Sequence, residues 1–318
     1  MGVPLGPGAS AGRPDHVDPS SPTGGSSHPL EAFHRSLGQF VVSRHDTLWC
    51  GAGRFTLVTF PNNQPVSATK RDIGRLLVNC GRLAAVFCPR VGSGPKVNEY
   101  RLRTKDYGLG RLQRQFRRHV LSHGPRFVTR DVTWKEMAEI GVPVHADIAA
   151  RRGGIGPEHL DPIRWTAACE GADATPGLDA FGCFVDDALA GYVVDWRVGD
   201  VRHGVRIERH SGFDALRGSN VLLYEYTRDR IGRADTAEIN LGRSWYPPRA
   251  SLDGFKRHAG YDETGRVLAV VLHPRLETLL GSSFARRCLA GIGAIAGRRA
   301  GLRADLDVLN AARLTDIP

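Results

Sequence analysis

Apolar and polar positions along this chain switch repeatedly between period two and helical spacing. Residues 39–43, 47–50 and 55–60 are short runs of β type separated by glycine and charged residues. Residues 69–80 set Ile73, Leu76, Leu77 and Cys80 at helical spacing, and Gly81 ends that helix. An unbroken apolar run at 83–88 predicts a buried strand, and 99–103 a further extended piece. Residues 109–123 predict an amphipathic helix whose stripe is Leu109, Leu112, Phe116 and Val120, stopped by Gly124 and Pro125. A strand at 127–132 follows. Thr133 and Glu136 then form a capping box for a short helix at 134–140.

The second half is more regular. A helix at 157–169 and a Gly/Asp/Pro-rich loop at 170–178 precede three strands in close succession, 180–185, 188–198 and 201–210. Asp186–Asp187 and Gly199–Asp200 supply hairpin turns, so these strands form an antiparallel meander. After a loop at 211–219 come a helix at 220–231 closed by Gly232, a strand at 236–241, a short helix at 252–258 and a last strand within 261–273. No short-period sequence repeat is present, although the two halves can share an architecture.

The domain organisation expected from this pattern is a tail at 1–29, a lobe at 30–150, a second lobe at 151–278 and a helical tail at 279–318. The first 29 residues are rich in Gly, Pro, Ser and Asp, with few large apolar side chains to offset the entropy of ordering, so disorder is expected there.

Composition narrows the function classes. Apolar residues make up 41% and charged residues 24% of 318, which describes a globular protein. The first 30 residues lack the apolar core of a signal peptide, and no run is long enough to span a bilayer. The nearest candidate, 284–297, is interrupted by Arg286, Arg287, Gly291, Gly293 and Gly297. A cytoplasmic location is the expectation. None of the six cysteines forms a C-x-x-C pair, so no zinc or thioredoxin-like site is predicted and no metal is expected. The net charge of +10 favours anionic partners such as nucleic acid, anionic lipid or a cofactor's phosphates, unless it reflects an Arg-rich proteome alone.

Three segments carry a family resemblance. Leu216-Arg217-Gly218-Ser219-Asn220 opens the helix that runs to Ile231. Ile239-Asn240-Leu241-Gly242 follows, and then Gly254-Phe255-Lys256-Arg257-His258-Ala259-Gly260-Tyr261. In the order strand, strand, strand, helix, strand, helix, strand, this segment resembles the GNAT acyltransferase core, and in particular its FemAB-like branch, whose last element has a similar GL..FK...GF pattern. The first half is similar more loosely, through 107–118 and the stretch to Arg151. The resemblance implies a mixed α/β (α+β) fold: a mostly antiparallel sheet flanked by helices, in two GNAT-like lobes. It implies transfer of an acyl group, acetyl-CoA or another acyl-CoA being the donor, to an amine acceptor that is a small molecule or a cell-envelope precursor.

The residues suit that chemistry. A helix entered through Arg217, Gly218 and Ser219 presents free N–H groups and a positive dipole end to a pyrophosphate, with Asn220 in its first turn. The alternative is an ordinary helix start capped by Ser219 or Asn220. The usual GNAT phosphate loop resembles [QR]-x-x-G-x-[GA], and here only Arg217 and the adjacent Gly218 remain, which keeps aminoacyl-tRNA open as donor. Amine acylation needs a base, a stabilised carbonyl oxygen and a proton for the leaving group. Glu208 and His210 alternate onto one face of the third meander strand as candidate bases. Tyr246 stands where related enzymes supply the acid, and Lys256 resembles the branch's recurrent lysine. Each has a plainer alternative: a polar strand face, a loop aromatic on Pro247, a helix-surface lysine. Asp195 and Trp196 lie mid-strand and face either the acceptor, or simply solvent and core.

A second class remains open. Between Arg101 and Arg130 nine residues are Lys or Arg and one, Asp106, is acidic, with Tyr107 and Phe116 interleaved. Such a face fits a non-enzymatic RNA-binding protein, or a solvated helix surface. No RNP, KH or helix-turn-helix signature accompanies it. A tRNA-dependent aminoacyltransferase accounts for both the basic face and the acyltransferase pattern.

Overall fold

The structure is a computed structural model that describes residues 28–52, 55–152, 162–244, 250–281, 312 and 315–317. Most of the expected tail at 1–29 and of the helical tail at 279–318 lies outside them, and so does Tyr246.

Helix α1 (Glu31–Ser36) leads into the antiparallel strands β1 (Val41–Arg44), β2 (Thr47–Ala52) and β3 (Thr56–Phe60). A two-residue strand β4 (Pro65–Val66) precedes helix α2 (Lys70–Cys80), and β5 (Ala84–Pro89) returns parallel to β3. Strand β6 (Lys96–Leu102), helix α3 (Arg114–His123), strand β7 (Val128–Val132) and helices α4 (Trp134–Ile140), α5 (Val142–Arg152) and α6 (Pro162–Asp173) follow. The second meander is β8 (Leu178–Val185), β9 (Ala188–Val198) and β10 (Val201–Arg209). Helix α7 (Gly218–Gly232) crosses over to β11 (Glu238–Arg243), parallel to β10. Helix α8 (Ala250–His258), strands β12 (Asp262–Val267) and β13 (Ala269–Leu272) and helix α9 (Pro274–Gly281) complete the described chain.

These strands make two mixed, mostly antiparallel sheets flanked by helices, as expected. Six strands form the first, in the path β1-β2-β3-β5-β13 with β4 paired to β5. Seven form the second, in the order β12-β6-β11-β10-β9-β8-β7. Both are built on one plan: three antiparallel strands, a crossover helix, and a strand that comes back parallel to the third. The plan repeats although the sequence does not, because hydrophobic patterning specifies elements more strongly than residue identities. Strands are also exchanged between the segments 30–150 and 151–278. β6 and β7 join the second sheet, and β13 joins the first.

Several local forms have visible causes. Thr69 accepts from the Asp72 amide while Asp72 reaches back to the Thr69 amide, a full capping box that opens α2. At α4 only half of the expected box exists. Thr133 accepts from the Glu136 amide, and the Glu136 carboxylate pairs instead with Arg130. Asp186 and Asp187 both have positive φ, as a two-residue type I′ hairpin requires. The helix expected at 109–123 is a 3-10 turn, Leu109–Arg111, followed by α3, because Leu112 and Gln113 are extended. The loop expected at 170–178 begins later, since α6 continues to Asp173 to bury Ala172.

One apolar core, which includes Leu48, Cys50, Trp134, Trp165, Leu178 and Tyr192, joins the inner faces of both sheets to α1, α4, α5 and α6. A second core packs α3 and α7 on the other face of the second sheet, around Tyr100, Phe116, Val193, Leu223 and Tyr261. The second sheet is therefore covered on both faces.

Candidate active site

Strands β10 and β11 pair in parallel only over Val201–His203 and Glu238–Asn240. Gly204 still touches β11, where an added Cβ would stand 3.1 Å from Leu241 Cδ2. Beyond a register shift at Gly204/Arg206, β10 pairs only with β9. β11 shifts register between Asn240 and Arg243 and pairs onward only with β6. The two parallel strands thus part at their carboxyl ends, the place where crossover folds bind ligands.

The equivalent place in the first sheet is closed. There β3 pairs with β5 up to Val58/Val86, and β4 then takes up the pairing at Cys88 and Pro89. The helix starts differ in the same sense. The amides at the start of α2 are engaged by the Thr69 capping box. The start of α7 has Arg217 as N-cap, in the left-handed region at φ 54, with no side-chain cap. The amides of Gly218 and Ser219 donate to no backbone carbonyl among the described residues. Of the two repeated units, the second alone combines parted strands with an uncapped crossover helix among the described residues.

The alternative of an ordinary start capped by Ser219 or Asn220 does not hold. Both lie inside the first turn, and the Asn220 amide donates to Arg217 O at 2.9 Å. Gly218 is not needed for a positive φ, since the unusual backbone falls on Arg217, and an added Cβ at Gly218 would meet Phe127 at an ordinary 3.5 Å. Arg217 is exposed. It stands near His119 of α3, whose pKa is lowered by partial burial and then by Arg217, Arg118 and His123.

Lys256 is buried, and its Nζ donates to Leu241 O at 2.9 Å and lies 4.9 Å from the centre of the Tyr100 ring. It therefore sits on the α7 face of the sheet, where β11 leaves β10. Burial pulls its pKa down to about 8, opposed by nearby Asp253. Asp253 accepts from the Ser244 hydroxyl at 2.9 Å. A helix-surface lysine is thereby excluded.

Glu208 occupies the opposite face. It pairs across the sheet with Tyr192, which belongs to the inner core, and its carboxylate is 4.0 Å from Arg206 Nε. Arg206 also donates to the Tyr192 hydroxyl, which lies 2.9 Å from His145 Nε2 on α5. The His145 ring packs 4.3 Å from that of Trp165. A polar string from α5 through β9 to β10 thus runs through an otherwise apolar core and ends at Glu208. His210, the other candidate base, accepts from the Gly212 amide at 3.0 Å and caps the 3-10 helix Ser211–Leu216. Asp195 faces neither solvent nor a cleft. It bonds Arg202 at 2.6 Å and Arg230 at 3.0 Å, all three essentially buried.

Arg206, Tyr192 and His145 escaped the sequence reading. Arg206 and Glu208 at period two were a usable signal, but His145 reaches the string only through tertiary packing. The basic stretch also divides. Arg101, Arg103, Arg111 and Arg130 pair with Glu99, Glu238, Asp262 and Glu136. Lys105 donates to the carbonyls of Ile231 and Arg233, both at 2.8 Å. Arg114, Arg117, Arg118 and Arg126 make no ion pair among the described residues. They lie on α3 and the turn after it, beside the start of α7. No cluster of three His, Cys, Asp or Glu suited to a metal occurs among the described residues, and no helix among them is long and apolar enough to cross a membrane.

Each of the two sheets thus carries a parallel pair joined by a crossover helix, a mixed α/β fold that the chain shares with solved structures of low sequence identity. The chain is similar to FemX at 9% identity, covering 80% of this chain and 93% of that one, with a TM-score of 0.51. It is also similar to L-PGS from Bacillus licheniformis (11% identity, 89% and 96% covered, TM-score 0.49). A third similar structure is a tandem GNAT protein from the clavulanic acid biosynthesis pathway (12%, 70% and 77%, 0.40). No protein-family model and no curated protein matches the sequence.

Proposed function

We propose that the protein is an N-acyltransferase whose second lobe takes an acyl group from acyl-CoA to an amine. The observation that carries this reading is the parting of β10 and β11 beyond His203 and Asn240, with the uncapped start of α7 on the crossover between them. Parted parallel strands leave main-chain groups for an extended pantetheine-like arm. The α7 start and Arg217 suit its phosphates, through the helix dipole and a charge-assisted contact.

In this reading the amine approaches from the Glu208 face, and Glu208 accepts its proton directly or through one water. As nitrogen attacks the carbonyl carbon, negative charge gathers on the carbonyl oxygen. The Lys256 ammonium, held by Leu241 O and kept from bulk water, stabilises that oxygen more than it would in solution. Collapse then breaks the carbon–sulfur bond, and the leaving thiolate takes a proton, a role we assign to Tyr246. Arg206, tied to Tyr192, holds the Glu208 carboxylate in place.

The acceptor in this reading is a small amine or a cell-envelope precursor. A second donor has one observation in its favour. The unpaired Arg114, Arg117, Arg118 and Arg126 extend the cationic surface well past the α7 start, farther than a pyrophosphate needs. That surface suits the backbone of an aminoacyl-tRNA. The deciding experiment is thermal unfolding with acetyl-CoA, longer acyl-CoA and tRNA, each with wild type and Arg217→Glu. An acyl-CoA shift abolished by the variant supports the proposal. A salt-sensitive tRNA shift with no response to any acyl-CoA replaces the coenzyme with the RNA donor.

A further inference from the structure

The first lobe, whose strand gap is closed, has a cavity on a different surface. It lies between α2, β13 and the start of α9, has a volume of about 680 Å³, and is open on one side. That volume falls in the range of small-molecule sites. Gly74 allows the approach that shapes it, since an added Cβ would stand 3.3 Å from Pro274 Cγ.

Its walls are graded. Val271, Leu272 and Ile317 form a buried apolar floor, and Val78 of α2 stands 52% exposed at the side. Toward the beginning of α2 the rim carries Lys70, Arg71 and Arg75 against a single acid, Glu277. Glu277 is occupied by Lys70, and the nearby Asp72 is engaged in the Thr69 cap. Arg71 and Arg75 are exposed and make no ion pair among the described residues. The lining runs along α2 from Thr69 to Asn79, about 15 Å at the helical rise.

We propose that this cavity is a second binding site for a single-chain amphiphile with an anionic head, the chain along Val78 and the apolar floor and the head on Arg71 and Arg75. A neutral or cationic head would gain no charge-assisted contact from Arg71 and Arg75. A polyanion would gain nothing from the trough. The site is separate from the parted strands and does not depend on the acyltransferase reading.

The test is calorimetric titration of the full chain with dodecanoate and with dodecyl phosphate, below their micelle concentrations. Dodecanol and dodecyltrimethylammonium serve as controls. Saturable binding of one or both anions is expected, weakened about tenfold or more in Arg71→Glu/Arg75→Glu and in Val78→Asp, and unchanged in Arg217→Glu. Which anion binds more tightly separates a carboxylate from a phosphate ligand. Since Arg71, Arg75 and Val78 are exposed, these variants should unfold at the wild-type temperature. Absence of saturation, equal binding of the controls, or binding unaffected by the double variant would overturn the proposal.

Discussion

The ammonium of Lys256 donates to the carbonyl of Leu241 at 2.9 Å, at the point where β11 leaves its parallel partner. The bond places a buried cation against a strand carbonyl beside the break in the ladder. Its pKa of about 8, set by burial, makes two outcomes measurable. If the charged form stabilises the developing oxyanion, the acyl-transfer rate falls as pH rises through about 8. Lys256→Met lowers kcat by about 10²-fold or more and removes that limb. Stability moves the opposite way. The folded pKa lies below the unfolded value, so between about 8 and 10.5 the unfolded chain binds the extra proton and stability rises with pH. Denaturant midpoints across that window should rise for wild type relative to Lys256→Met.

Glu208 and Arg206 are expected to act on the rate and not on donor affinity, because they face away from α7. Glu208→Gln should lower kcat by about 10²- to 10⁴-fold. Arg206→Leu should lower it less, with the acyl-CoA response in thermal unfolding retained. Full activity in Glu208→Gln, measured by thiol release, would remove it from the base role.

Asp195 accepts from both Arg202 and Arg230, and Arg230 belongs to α7. The same arginine pairs with Asp131 at 2.6 Å and Asp229 at 2.9 Å, so the end of the crossover helix is fixed to β7, β9 and β10. Asp195→Ala leaves two buried guanidinium groups without their shared acceptor and should destabilise the fold by about 3–5 kcal/mol. Replacing all three by Leu, Met and Met should cost far less, because no uncompensated buried charge remains and the other acids they pair with are partly exposed. Urea unfolding of the two variants checks the contrast.

How far the sequence foretold these features depended on whether a feature was local. Strand β9 and helix α4 fall at the expected residues because alternation and a Thr cap are written within a few positions. The Phe-Lys pair singled out Lys256, but its burial was not legible, since that depends on Tyr100 of β6, more than a hundred residues away in sequence. The exchange of β6 and β13 between sheets leaves no periodic trace, because either sheet offers a strand the same half-buried environment. The α5 helix was missed at Val142–Arg152, where Pro143 and β-branched residues mask a buried face formed by Val144, His145 and Ile148. His145 was lost with it. The choice of α7 over α2 as the open helix start likewise rests on an observed cap, Thr69 with Asp72, which sequence spacing alone did not set against Arg217.

The unpaired arginines separate the two donors through salt. A tRNA donor lying along Arg114, Arg117, Arg118 and Arg126 should show affinity that falls steeply with salt, and each arginine changed to Gln should reduce the slope of log K against log salt by about one. Arg101 and Arg111 serve as internal controls, because Glu99 and Asp262 already hold them. Their substitution should act on stability and leave the slope alone. An acyl-CoA donor reaches only the α7 start in the proposed pose, so Arg217→Gln should weaken it while Arg126→Gln should not. Equal loss of acyl-CoA binding from Arg126→Gln and Arg217→Gln would mean that the coenzyme lies along α3, and the placement of its phosphates at α7 would have to be abandoned.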